Sequence, residues 1–267
     1  FARIEHDHGD VVDAKRARFS TTIDDAWLQG KGAFGGLLNA GVVRAMSTLV
    51  DRSRAIRTLH VHFCAPALPV ASVDVDVVVE REGASMSTLS ARATQKGALV
   101  TLATATFAAP RPRPDDRARY FDATMPTAPK PADAPLTLRD LPFLPAFTQF
   151  FDYRFCVGDG PYASSSRALL GGWCRLHDAL DVVDAPAIAA LADAYPPAVL
   201  ARLDTPRASG SVDLTIDFFA WSIPADEHVL VVQTSLVGDG GVTDERCELW
   251  SEAGRLVCSV RQLVALL

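Results

Sequence analysis

Over residues 73–81 the apolar positions fall on every second residue: Val73, Val75, Val77 and Val79 are interleaved with Asp74, Asp76 and Glu80. A period of two puts successive side chains on opposite faces, so this segment predicts a half-buried β-strand. Segments 59–65, 85–95 and 98–107 share its richness in Val, Thr and Leu, with Glu82-Gly83 and Lys96-Gly97 as turn chemistry between them. Upstream the period changes. Phe34, Leu37, Leu38, Gly41, Ala45 and Leu49 recur at helical spacing, which predicts an amphipathic helix over 35–50. The expected order of the first part is one helix, then strands.

Residues 110–145 break the pattern with nine prolines among charged residues, too many for a helix interior or a central strand. They predict a surface connector in extended or polyproline form. Beyond it the order returns. Asp184 is a candidate N-cap with Pro186 in the first turn, and Ile188, Leu191, Ala192, Tyr195, Val199 and Leu203 continue at helical spacing. Strand-like runs follow over 212–220, 228–237, 243–251 and 255–263.

The two copies superpose directly. Leu59-His60-Val61-His62-Phe63 lies over Leu214-Thr215-Ile216-Asp217-Phe218 at an offset of 155, and Lys96-Gly97-Ala98-Leu99-Val100 over Ala253-Gly254-Arg255-Leu256-Val257 at an offset of 157. Such a repeat implies an α+β chain of two tandem units, 1–109 and 148–267, joined by the Pro-rich connector 110–147. Each unit is expected to lay a helix on an antiparallel sheet. With the helices buried together and the sheets paired edge to edge, the chain would mimic a homodimer. Exposed sheet edges need covering and offer a route to a homo-oligomer.

Composition narrows the class. The chain has 267 residues, about half of them apolar, enough for a large core. Its formal charge of −6 opposes a nucleic-acid partner. No apolar run approaches the ~20 residues that span a bilayer, so a soluble, cytoplasmic protein without a membrane partner is expected. Five scattered cysteines with no Cys-x-x-Cys pair predict reduced thiols and no metal site.

The segments 32–40 (Gly-Ala-Phe-Gly-Gly-Leu-Leu-Asn-Ala), 58–66 (Thr-Leu-His-Val-His-Phe-Cys-Ala-Pro), 80–88 and Ala93-Thr94-Gln95, followed by Trp173-Cys174-Arg175-Leu176, 211–218 and 254–262, occur in an order and spacing that resembles one family over nearly the whole chain. It is the acyl-CoA thioesterases of the medium- and long-chain bacterial and peroxisomal type. The resemblance implies a double hotdog fold, two tandem copies of a long helix wrapped by an antiparallel sheet. It also implies hydrolysis of an acyl-CoA to free acid and coenzyme A, with no cofactor beyond the substrate. In that family an Asp at the second helix, a Thr on the following strand and a Gln on the last strand orient the attacking water. By position, Thr215 and Gln262 match. Where the family has Tyr-Ala-Ser-Asp this chain has Asp193-Ala194-Tyr195-Pro196, so Pro196 stands in the acid's place. Asp193, about one helical turn earlier, is the carboxylate that can reach the same face.

The remaining candidates stay open at this level. Gly35 and Gly36 at the first helix start either present backbone N–H groups to a carbonyl oxygen or simply allow close packing. His60 and His62 share a strand face, as metal ligands with no third ligand apparent, base, substrate contact or hydrogen-bonded strand residues. Arg54 and Arg57, near Arg52, either meet coenzyme A phosphates or form a solvated helix end. Gly30-Lys31-Gly32-Ala33-Phe34-Gly35 matches the dinucleotide fingerprint, but an antiparallel run follows instead of a βαβ unit, so that reading is discarded. Two alternatives to hydrolysis remain. One is a non-catalytic acyl-CoA binding protein that lost its acid. The other is a hotdog 3-hydroxyacyl-thioester dehydratase, suggested by His62-Phe63-Cys64-Ala65-Pro66, although in those enzymes the helix follows that segment.

Overall fold

The structure, a computed structural model, describes residues 8–111, 117, 119–135, 144–177 and 181–267. Connector residues 112–116, 118 and 136–143 lie outside the described residues. The first half contains β1 (His8–Asp13), β2 (Arg16–Thr21), the short hairpin β3 (Leu28–Gln29) and β4 (Gly32–Ala33), α1 (Gly35–Ser47), β5 (Ala55–Phe63), β6 (Val73–Glu82), β7 (Met86–Gln95) and β8 (Ala98–Ala108). The second contains β9 (Phe151–Gly158), β10 (Ala168–Leu176), β11 (Val182–Asp184), α2 (Ala185–Leu191), β12 (Ser209–Phe218), β13 (Ser222–Pro224), β14 (Val229–Asp239), β15 (Val242–Ser251) and β16 (Leu256–Leu266).

Twelve of these strands form one sheet in the order β1-β2-β6-β7-β8-β5-β12-β16-β15-β14-β10-β9. The halves join where β5 pairs antiparallel with β12. His60 lies opposite Thr215 there, and these are the residues that the offset of 155 equates. A pseudo-two-fold therefore passes between them. The two helices pack on each other against one face, and a single apolar cluster runs through both halves, including Val43 and Met46 of α1, Ile188 and Leu191 of α2, and Leu59, Leu214 and Ile216 of the joining strands. This is the double hotdog arrangement.

Alternation carries the strands as expected: Val73, Val75, Val77 and Val79 are all buried. The second helix differs from expectation. It ends at Leu191, and only a 3-10 turn over Ala198–Arg202 follows. Pro196 and Pro197 explain the break, because proline has no N–H to donate and disfavours helical backbone in the residue before it.

The connector is not merely a surface spacer. Pro129 accepts from the Trp173 indole at 2.7 Å, and Ala134, Met125 and Ala128 pack over Trp173, Leu230 and Trp250 on the sheet face away from the helices. All five cysteines are free, with Cys174, Cys247 and Cys258 buried. Among the described residues no helix is long and apolar enough to cross a membrane.

Candidate active site

Asp193 sits in the turn that the broken helix leaves, against the start of α1. Gln262 Nε2 donates to its Oδ1 at 3.0 Å, and the backbone N–H of Gly36 donates to the same carboxylate. Phe34, the N-cap of α1, makes no side-chain cap bond, so a carboxylate from the other half of the chain supplies the acceptor at the positive end of that helix. Gly35 makes this possible: a Cβ there would lie 2.6 Å from Asp193 Oδ2 and 3.2 Å from the Phe63 ring. Phe34 is itself fixed by stacking on Phe147 at 4.0 Å.

Asp193 is half-buried, so its carboxyl keeps partial access from outside. Burial of the charge raises its pKa from 3.8 to about 7, while the bonds from Gln262 and Gly36 pull the other way. The result is a carboxyl that exchanges protons near neutrality.

The other N–H of the Gln262 amide donates to Ser211 Oγ. Ser211 reaches this face through a β-bulge. On β12, Leu214 faces Gln262 and Asp213 faces Leu263, but Ser211 already faces Val264, so two residues of β12 span one of β16. Thr215 lies opposite Arg261, on the face away from the helices, with its hydroxyl 3.0 Å from His60 Nδ1. The structure thus brings Asp193, Gln262, Gly35 and Gly36 together, adds Ser211, and places Thr215 and His60 on the opposite side of the sheet.

The two arginines are engaged elsewhere. Arg54 donates to the Gly83 carbonyl at 2.9 Å and to the Ser87 hydroxyl, with Glu82 at 3.6 Å. Arg57 lies over the Trp221 ring at 4.6 Å.

Beneath the site, side chains from the sheet hold the backbone of the turn. Tyr153 donates to the Ala194 carbonyl at 2.9 Å and Gln233 to the Tyr195 carbonyl at 3.0 Å. The buried carboxylate of Glu245 accepts from the N–H groups of Ala198 (2.8 Å) and Val199 (3.2 Å) and from the Thr243 hydroxyl (3.0 Å). Sequence reasoning missed Ser211, Tyr153, Gln233 and Glu245. One signal was readable: Thr243 and Glu245 are polar residues at the alternate positions that continue into buried Cys247 and Leu249.

Residues 23–108 match the family model of the acyl-CoA thioesterase N-terminal domain, and residues 114–266 that of the C-terminal domain. The chain belongs to the acyl-CoA thioesterase family. Solved structures resemble this thioesterase-family chain along its full length. A conserved protein of unknown function with a hot dog fold from Alicyclobacillus acidocaldarius is 25% identical, with a TM-score of 0.84, over 100% of this chain and 98% of its own. A tesB protein from Mycobacterium avium subs paratuberculosis is 20% identical with a TM-score of 0.79, covering 100% and 97%. An acyl-CoA thioesterase II from Mycobacterium marinum is 19% identical with a TM-score of 0.74, covering 97% and 96%. At those last two identities the likeness speaks to the shared fold. No curated protein matches the chain in sequence.

Proposed function

We propose that this member of the thioesterase family hydrolyses an acyl-CoA to the free acid and coenzyme A by direct attack of water. The observation that carries the reading is Asp193: a partly accessible carboxylate with a pKa of about 7, held by Gln262 and by the start of α1. A general base works best with a pKa near the operating pH. In this reading Asp193 takes a proton from the water as its oxygen bonds to the thioester carbon. The tetrahedral adduct then expels the coenzyme A sulfur, which takes up a proton as the C–S bond breaks. Gln262 and Ser211 hold the carboxylate and the water in line. A thioester is already an activated acyl group, so the chemistry asks for no metal or redox cofactor, and coenzyme A enters as part of the substrate.

The test is release of free coenzyme A from a panel of acyl-CoAs, short to long and including aromatic acyl groups, with a blank for the protein's own thiols. Asp193→Asn and Gln262→Ala are expected to lower kcat by ~10²-fold or more, and Ser211→Ala to cost more than Thr215→Ala. Saturable binding without turnover across the panel would overturn hydrolysis and favour the binding protein for which Pro196 speaks.

A further inference from the structure

Asn39 of α1 is completely buried, and neither its amide nitrogen nor its carbonyl oxygen has a hydrogen-bond partner. Among the described residues its side chain is unusual in leaving both polar atoms unpaired. Buried polar groups are nearly always satisfied, because an unpaired one keeps the full desolvation cost. A residue that destabilises the fold in this way is a candidate for work on a ligand.

Its position says where that ligand would lie. Asn39 follows Gly35 by four residues and Gly36 by three, so around the helix axis its side chain leaves between theirs, about 40° from one and about 60° from the other. The Gly35 direction runs into Asp193 Oδ2 and the Phe63 ring, and the Gly36 direction into the Ala190 carbonyl and the Phe34 ring. Helical side chains lean toward the N-terminus. The Asn39 amide therefore leans over the two glycines, toward Asp193.

The helix start itself has a claim on it: the Gly36 N–H already donates to Asp193. The carbonyl oxygen of a thioester under attack needs another donor, and a neutral one, since a second charge there would disturb the proton affinity of Asp193. We propose that Asn39 is a further catalytic residue, whose Nδ2–H donates to the thioester carbonyl oxygen as that oxygen gains negative charge. No bond of Asn39 breaks, and the proton stays on the amide. This role rests on the hydrolysis reading above.

The test compares wild type with Asn39→Leu and Asn39→Ala, using the acyl-CoA of the panel that wild type turns over fastest. The expected result is a fall in kcat of ~10²-fold or more, the scale of a lost oxyanion donor, with KM within about 3-fold. The melting temperature of Asn39→Leu should hold or rise, because the unpaired polar atoms are gone. An S-alkyl coenzyme A thioether, which has no carbonyl, should bind the variants within about 3-fold of wild type. Retained kcat overturns the proposal, as does a rise in KM with kcat unchanged. So does loss of thioether binding in parallel with kcat, which marks a structural role. Should Asn39→Leu fail to fold, the alanine variant carries the same comparison. A wild type inactive on the whole panel removes the hydrolysis reading itself, a different failure from an active wild type indifferent to Asn39.

Discussion

Asp193 combines two opposite pH dependences. Its pKa is 3.8 in an unfolded chain and about 7 when folded, so the native state binds the proton more tightly. The stabilisation from this group is fully present below about pH 4 and is lost as pH rises through about 7, up to about 4 kcal/mol at ~1.4 kcal/mol per pH unit. In the proposed mechanism the base form takes a proton from water, so kcat/KM should rise over the upper part of the same window. Its buried neighbours Tyr153 and Cys247 are both pushed upward by desolvation and stay neutral there. Glu245 is also raised, so the contribution of Asp193 is isolated by difference. Urea unfolding from pH 4 to pH 8 should show wild type losing stability relative to Asp193→Asn. Parallel curves would mean that the carboxyl is not held in an elevated state. At this scale the sequence pointed to Asp193 and Gln262, which meet at 3.0 Å, but not to the Ser211 hydroxyl beside them. Counting by twos from Thr215 puts position 211 on the outer face, and only the bulge after Ser211, which leaves no mark in the residue pattern, turns it inward.

Among the elements, a strand with one wet and one dry face was readable where valine marks the dry one. Strand β6 alternates buried and part-exposed residues, and its period of two is plain in the chain. Strands β9 and β10 escaped, because the helices cover one face and the connector covers the Trp173 row on the other, and a strand buried on both sides has no alternation to show. The apolar spacing from Ile188 to Leu203 was real, since those residues are largely buried, but Pro196 and Pro197 divide it between α2 and a 3-10 turn. That division places Asp193 at the start of α1, and Glu245 keeps the turn in place. Replacing Glu245 with Gln puts an NH2 where an oxygen now accepts, leaving Ala198 or Val199 N–H facing a donor. The expected cost is ~1–3 kcal/mol of stability. A fall of roughly tenfold in kcat should accompany it if a displaced turn carries Asp193 out of line, since small misplacements at a site are costly. Equilibrium unfolding and kinetics on the folded variant measure both, and unchanged kcat would show that the turn holds Asp193 without Glu245.

For the molecule as a whole, the repeat is close enough to reproduce the bulge: Ile56 and Thr58 of β5 show the same register shift as Ser211 and Asp213 of β12, 155 residues later. Chemistry breaks the symmetry. The mate of Ser211 is Ile56, and the mate of Gln262, at the offset of 157, is Ala105; both are buried and apolar. The helix starts differ too. That of α1 is met by Asp193 from the other half, whereas α2 is capped by its own Asp184, which accepts from the Ala187 N–H at 3.1 Å and pairs with Arg44 across the helix interface at 3.1 Å. Among the described residues, the symmetry-related place beside α2 thus has apolar side chains where Ser211 and Gln262 would be, and a helix start already capped. One half keeps the polar groups and the other fills their places with core, as expected when burying an unpaired polar residue costs more than burying a methyl group. Calorimetric titration with an S-alkyl coenzyme A is therefore expected to give one site per chain, and Asp193→Asn should leave that number unchanged. Two equivalent sites would mean that acyl-CoA recognition follows the repeated sheet and helix, and that the polar cluster at Asp193 confers reactivity on one of two binding crevices.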